Sequence, residues 1–320
     1  MTDHKTFLAS LGSADRAALT QRSDRAGLRH LALHLGLIAA TTALIGLRAP
    51  FWPLFLPLHG ILITFLFTLE HECTHKTPFA TGWLNEAAGT LAGLVLILPF
   101  QWFRAFHLAH HRFTNIPGHD PELAAPGPAT VRGWLFHVSG LPYWRASIAT
   151  LIRMAARGAP APYLPDRAMP RLVREARLHL AVYALALLSL VWSPLVVWLW
   201  IVPSLIGQPF LRLYLLAEHG DCAFVANMFE NTRTTFTTGM VRFLAWNMPY
   251  HVEHHVAPSV PFHHLPRLHR LMRDRLRVTA PGYAAFTRAY LDRRRPGGDG
   301  PRGGNVSGTM PGLAPDDAAG

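Results

Sequence analysis

Apolar positions along the chain fall in long runs, not in the strict alternation of a half-buried strand. One run extends from about Leu31 to Leu47 and a second from about Leu54 to Leu69, separated by Arg48, Ala49, Pro50 and Pro53. Each approaches the ~20 residues needed to cross a bilayer core of about 30 Å. Together they predict a helical hairpin. A second hairpin is predicted from about Leu178 to Trp192 and from Leu195 to Leu216, turned at Ser193-Pro194, with Pro203 and Pro209 expected to kink its second helix. Residues 84–103 are also apolar, although Asn85, Glu86, Gly89 and Gly93 soften the run and Pro99 interrupts it. The stretch from about Leu141 to Arg157 combines Tyr143 and Trp144 with Arg145, Arg153 and Arg157, a pattern expected of a helix lying flat at the headgroups. The predicted fold class is therefore all-α integral membrane: four transmembrane helices in two hairpins plus interfacial or re-entrant helices.

Histidines gather where these runs end. His71 and His75 are spaced i, i+4, whereas His107, His110 and His111 follow i, i+3, i+4, as do His251, His254 and His255 if the chain is helical after Pro249. Such spacing puts the imidazoles of each group on one helix face. Neutral imidazole is the commonest protein ligand of transition metals. Eight such side chains exceed the usual coordination number of one ion and suit two ions sharing a site. A full crossing at 84–103 would carry His107 about 30 Å away from His75, whereas common ligands must approach an ion to about 2.0–2.3 Å. The segment is therefore expected to be re-entrant or interfacial.

Half of the 320 residues are apolar and only 15% are charged, a balance expected of a membrane protein. The formal charge of +11 is carried mainly by arginine. Basic residues avoid the short loops at Arg48 and Ser193-Pro194 and concentrate in the segments on the histidine side, which the positive-inside rule makes cytoplasmic. The active site and both termini are accordingly expected on that side. No recognisable nucleic-acid module accompanies the charge. The two cysteines, Cys73 and Cys222, form no CxxC, which argues against an iron–sulfur centre, zinc ribbon or disulfide framework; Cys73 is read as a small apolar filler. Three regions are expected: a cytoplasmic amphipathic arm over 1–28 that lacks the features of a signal peptide, a membrane domain over 29–295, and a disordered Gly- and Pro-rich tail over 296–320.

His71-Glu-Cys-Thr-His75, His107-Leu-Ala-His110-His111 and Asn247-Met-Pro-Tyr-His251-Val-Glu-His254-His255 resemble the three histidine boxes of membrane fatty acid desaturases. Related membrane hydroxylases, hydrocarbon monooxygenases and carotenoid ketolases carry the same boxes. The resemblance runs from roughly Leu54 to Leu271. It implies two non-haem irons at the cytoplasmic face, O2 as co-substrate and two electrons from a separate carrier, with the eight box histidines as ligands. His219 matches a ninth histidine common in the family. Some relatives add an asparagine ligand one turn earlier; Leu215 stands there, so that ligand is absent, or replaced by water or Glu218.

Cleaving an unactivated C–H bond requires a redox metal, so zinc would not serve. Neutral ligands leave the ions highly charged. Glu72, Asp120, Glu218, Asn247 and Glu253 are the candidates to offset that charge and orient the imidazoles. Arg112, Thr114 and Asn115, and the run Asn231-Thr-Arg-Thr-Thr235, are candidates to hold a headgroup or line a carrier's docking surface. The HxxxH, HxxHH, HxxHH pattern is typical of acyl-lipid desaturases, so desaturation of a fatty acyl chain is the leading expectation and hydroxylation of an acyl lipid or hydrocarbon the alternative. With no appended haem or flavin domain recognised, electrons are expected from a partner such as a ferredoxin.

Two other classes compete. His71-Glu-Cys-Thr-His75 fits the HExxH helix of zinc metalloproteases, but that chemistry leaves most of the other histidines without a role. A metal transporter would place ligands near the bilayer midplane on broken helices, not at helix ends on one face.

Overall fold

The computed structural model describes residues 3–301. Its helices in chain order are α1 (His4–Ser10), α2 (Ser13–Leu19), α3 (Asp24–Gly46), α4 (Phe55–Thr64), α5 (Leu66–Thr74), α6 (Gly82–Leu96), α7 (Phe100–Phe113), α8 (Val131–Val138), α9 (Leu141–Arg157), α10 (Met169–Leu188), α11 (Val202–His219), α12 (Met228–Asn231), α13 (Gly239–Leu244), α14 (His251–Val256), α15 (Leu265–Met272) and α16 (Tyr283–Arg294). The one strand pairing among the described residues is parallel and very short, joining Thr234–Thr235 (β1) to Thr279–Ala280 (β2). Most of the tail expected from 296 lies outside the described residues, as do both chain ends.

The long helices are inside out relative to those of a soluble protein. On α3, Leu33, Leu35 and Leu37 are exposed whereas His34 and Thr41 are buried. The buried polar groups join helices: the His34 ring nitrogen lies 2.9 Å from the Leu62 carbonyl, Thr41 Oγ1 2.7 Å from His59 Nδ1, and His59 Nε2 3.0 Å from the Leu199 carbonyl. In a bilayer, where apolar contact with lipid costs nothing, such polar pairings and close backbone approach hold helices together. The α4–α11 crossing supplies the close approach. A Cβ on Gly60 would lie 2.2 Å from the Pro203 carbonyl oxygen, and one on Gly207 would lie 2.1 Å from that of Gly60.

Among the described residues, three helical stretches are long and apolar enough to cross a membrane: Ser13–Gly46, Trp52–Thr74 and Val197–His219. The expected fourth, the first arm of the second hairpin, is not among them. Its helix α10 starts at Met169, and Arg171, Arg174, Glu175 and Arg177 occupy its first half. Only the remainder is continuously apolar. In the second arm, five π-helical residues, Val197–Ile201, precede Pro203, which then sits in the first turn of α11 where its missing N–H matters least. Pro209 lies inside the helix.

The 84–103 segment folds as the metal argument required. Helices α6 and α7 meet at 99°. Ile97 turns the chain in the left-handed region at φ 57°, and Pro99 precedes the first residue of α7. Gly89 and Gly93 make the bend possible by removing side chains: a Cβ at Gly89 would lie 2.4 Å from the Phe100 ring, and one at Gly93 2.3 Å from the Leu98 carbonyl oxygen. The new helix start is capped from α10, where the Glu175 carboxylate accepts from the Gln101 backbone N–H at 3.1 Å.

Two apolar clusters flank the ends of the spans, one around Phe79, Phe100, Trp102, Phe106 and Met154 and the other around Leu211, Phe229, Met248, Leu265 and Leu268. The arm over 1–28 is not separate from this body. Phe7 and Leu19 are buried in the second cluster, and Arg267 reaches Asp15 at 3.0 Å.

Gly207→Val is expected to lower the apparent Tm of the detergent-solubilised protein, an overpacking cost of about 1–3 kcal/mol. Gly36→Val, at a position with no atom within 4 Å of the added Cβ, should leave the melting curve unchanged.

Candidate metal centre

Four helix ends converge. The C-terminal turn of α5 brings His71, with His75 as its capping residue; the last two turns of α7 bring His107, His110 and His111; α14 brings His251, His254 and His255; and α11 ends on His219. A helix begins directly after Pro249 and Tyr250, as the i, i+3, i+4 spacing required.

The nine imidazoles sort into two groups. His71, His75, His107, His111 and His254 each offer a nitrogen within 4.8 Å of all the others, and His110, His219 and His255 do the same. His251 joins the second group, its Nε2 lying 3.0 Å from His219 Nε2 and 3.1 Å from His255 Nε2. Contacts between elements are equally close: His75 Nε2 to His107 Nε2 is 2.9 Å, His254 Nε2 to His111 Nε2 3.1 Å, and His110 Nε2 to His219 Nε2 3.3 Å. Nitrogens bound about 2.1 Å from one ion lie about 3.0–4.2 Å apart. The two groups therefore match two coordination spheres.

Burial tests the same idea. Both ring nitrogens of His71 are buried with no hydrogen-bond partner, as are the Nδ1 atoms of His111, His251 and His254. An unpaired buried polar atom costs roughly 1–3 kcal/mol; the His71 ring, and the Nε2 atoms that face one another within each group, present lone pairs that a bound cation would satisfy. Burial, reinforced by neighbouring imidazoles, holds His251, His254 and His255 well below the ordinary histidine pKa. They present neutral lone pairs at pH 7.

Three of the five proposed supporting residues reach the ligands. Asp120 oxygens lie 3.0 and 3.1 Å from His110 Nδ1, and the same carboxylate accepts from the backbone N–H of Asn115 and Glu122. Glu218 comes within 3.3 Å of His251 Nδ1 and Glu72 within 3.6 Å of His254 Nδ1. The other two are corrected by the structure. Glu253 faces away, meeting Thr234 Oγ1 and His269 Nδ1, each at 2.5 Å. Asn247 donates to the Phe262 carbonyl at 3.0 Å and so fixes the turn before α14.

Further supporting residues come from segments read as headgroup or docking loops. Thr114 Oγ1 lies 3.1 Å from His255 Nδ1, and the Asn231 carbonyl 3.1 Å from His219 Nδ1. Asn115 donates to that same carbonyl at 2.8 Å. Thr114, Asn115, Asn231, Thr232 and Thr234 are all buried. They brace the centre and do not face a partner; Arg112 alone of the first set is exposed. Glu122 was missed altogether. It lies 3.8 Å from His110 Nδ1, and burial pushes its carboxyl up to about 7.

An internal cavity of about 40 Å³ adjoins the imidazoles, lined on its apolar side by Phe67, Leu98, Phe103, Phe106, Tyr143 and Leu215. Tyr143 is fixed there by its hydroxyl, which donates to the Leu96 carbonyl at 2.9 Å. Leu215 contributes wall and no ligand. Glu122 and Glu218 reach the same space.

Helices that can cross a bilayer and a buried histidine centre at their common end define the class, an integral-membrane oxidoreductase. The fatty acid desaturase family pattern matches residues 16–287, and the chain belongs to that family. It is 25% identical over 238 residues to an sn-1 oleoyl-lipid 12-desaturase of Picosynechococcus, covering 67% of each chain. It is 22% identical to a chloroplastic omega-6 fatty acid desaturase of Brassica napus, covering 74% of this chain and 59% of the relative. A sphingolipid delta(4)-desaturase/C4-monooxygenase of Rattus norvegicus is 27% identical, with 67% and 60% covered. The chain thus spans about three fifths to two thirds of the length of these relatives.

Asp120→Asn, which replaces an acceptor of three hydrogen bonds by an amide, should weaken metal binding about 10–100-fold. Metal titration of the purified apoprotein measures this, and circular dichroism should find its helix content unchanged.

Proposed function

We propose that the protein is a membrane-bound non-haem di-iron oxidoreductase that uses O2 and electrons from a separate carrier to desaturate a fatty acyl chain. The observation that supports this reading is the sorting of nine imidazoles, seven buried and two half-buried, into two groups of coordination size. His71, His75, His107, His111 and His254 would hold one ion; His110, His219, His251 and His255 the other. Iron bound there would supply the O2-activating redox chemistry that C–H cleavage demands.

The chain's own residues set the conditions for that chemistry. Asp120, Thr114 and the Asn231 carbonyl fix the ring orientations of His110, His255 and His219. The apolar wall of Phe67, Phe103, Tyr143 and Leu215 excludes water and positions a hydrocarbon segment against the imidazoles. Glu218 and Glu122 compensate the charge of the ions from the cavity side. The active site and both termini lie on the cytoplasmic side, and α10 with α11 forms the second hairpin of a four-span bundle.

A second reading, hydroxylation of an acyl lipid on the same scaffold, is favoured by the name of the rat relative, which couples desaturase with C4-monooxygenase. Both outcomes begin with the same hydrogen abstraction and diverge by substrate placement.

Purified active protein should contain about two irons per chain, and zinc as the sole metal would reject the reading. Expressed in a host of known lipid content, the chain should yield lipids lighter by two hydrogens; a gain of one oxygen selects hydroxylation, and neither change removes lipids as substrates. His107→Ala and His254→Ala should each abolish turnover, at least a 10³-fold loss, while the protein stays in the membrane fraction.

A further inference from the structure

Helix α7 has a second functional face. Beside its histidines, Arg104, Leu108 and Arg112 line an open groove of about 1070 Å³, completed by residues of the 118–124 loop and of the 159–168 segment that joins α9 to α10. The groove is apolar inside and basic at its rim. Arg112 and Arg167 are exposed, and among the described residues no acidic group forms an ion pair with either; Arg112 lies over the Phe113 ring at 5.1 Å. The carboxylate that does reach the groove, Asp120, is committed to His110 and to two backbone N–H groups. Arg104 is paired with Glu86 at 2.8 Å.

Aromatic rings connect this groove to the histidines. Tyr163 is half-buried in its wall and stands edge-on to Trp102 at 6.3 Å and to Phe106 at 5.7 Å between ring centroids. Trp102 and Phe106 stack at 5.2 Å, and Phe106 lines the inner cavity beside His107. One residue along, Phe103 stacks on the His107 ring at 5.5 Å. The groove is thus separated from the ligands by a single helix, about 10–12 Å across, filled with packed rings. Electron transfer through protein falls steeply with distance, so a carrier needs a surface this near the ions.

We propose that the groove is the docking surface for a small acidic one-electron carrier protein, seated between Arg112 and Arg167 and coupled to the histidine centre through Tyr163, Trp102 and Phe106. The proposal rests on the di-iron reading for its purpose but not for its binding test. Each docking passes one electron: the carrier is oxidised by one, a histidine-held ion is reduced by one, and no bond forms or breaks. Two dockings supply the pair that one turnover consumes. The basic rim attracts an acidic partner, so association is fast at low salt and weakens as salt rises.

The test uses the full chain in detergent with a plant-type [2Fe–2S] ferredoxin as probe. Ferredoxin binding is measured to both metal-free and iron-loaded protein, and iron reduction is followed spectroscopically with ferredoxin or with dithionite. Arg112→Glu and Arg167→Glu should each weaken binding about tenfold to either form of the protein and flatten its salt dependence, while dithionite reduces the iron at the normal rate. Tyr163→Ala should slow reduction severalfold at saturating ferredoxin, a condition under which a change in affinity does not contribute. Arg273→Glu, an exposed charge outside the groove, should change neither. Wild-type binding by both groove variants, or equal weakening by Arg273→Glu, would overturn the proposal. So would a raised KM for lipid in the groove variants with ferredoxin binding unchanged, which would make the groove a lipid headgroup site. Protein that binds ferredoxin through the groove but holds no iron would sink the di-iron reading and leave the docking surface standing.

Discussion

The fold depends on one unfavourable act, the crowding of nine imidazoles, seven of them buried, against one another. His71, His75, His107, His111 and His254 crowd their nitrogens into a space of coordination size, and both His71 nitrogens lack a hydrogen-bond partner among the described residues. Without a cation the facing lone pairs repel, and desolvation is uncompensated. The surrounding structure must therefore hold the rings together in advance of metal. It does so with rigid helix ends, not loops, because the site tolerates little displacement: ligand nitrogens on different helices are already within 2.9–3.3 Å of each other.

The membrane supplies part of that rigidity. The Trp52–Thr74 and Val197–His219 helices run to the same level because both must cross the same apolar thickness, and they deliver His71 and His219 to it. They are locked side by side where Gly60 and Gly207 let the backbones touch. The second box cannot be delivered this way without emerging on the far side. The 99° bend between α6 and α7 solves the problem: an apolar segment enters, turns on Ile97 and Pro99, and lays the histidine helix across the ends of the spans.

What could be read in the sequence follows from this division. Ligand positions were legible because helical spacing alone puts His251, His254 and His255 on one face, and the bend followed from requiring His75 and His107 to share an ion. The same helical angle could have excluded Glu253: two residues on from His251 it points about 200° away, toward Thr234 and His269. Other supporting groups were not legible in principle. Thr114 reaches His255 from 141 residues away, and the Asn231 carbonyl that meets His219 is a backbone acceptor, which leaves no mark in composition. Nor does polarity reveal location, since Thr114 and Thr232, candidates for headgroup or carrier contact by sequence, are buried. The apolar second half of α10 predicts a span, whereas Arg171, Arg174, Glu175 and Arg177 in its first half keep the whole helix out of the set that is apolar enough to cross by composition.

Why the second box should sit on the most exposed of the ligand helices follows from the needs of the chemistry. The spans must be covered by lipid, and α14 is wholly buried beneath the second apolar cluster. Helix α7, set across the ends of the spans by its bend, carries the second box on one face and the exposed Leu108 and Arg112 on another. Its composition reflects both demands, with His107, His110 and His111 inward, Arg104, Leu108 and Arg112 outward, and the stacked Trp102 and Phe106 between them. The bent segment therefore does more than bring three histidines within reach: it sets Phe103 and Phe106 as an apolar wall beside the imidazoles and leaves a single helix between them and the open groove.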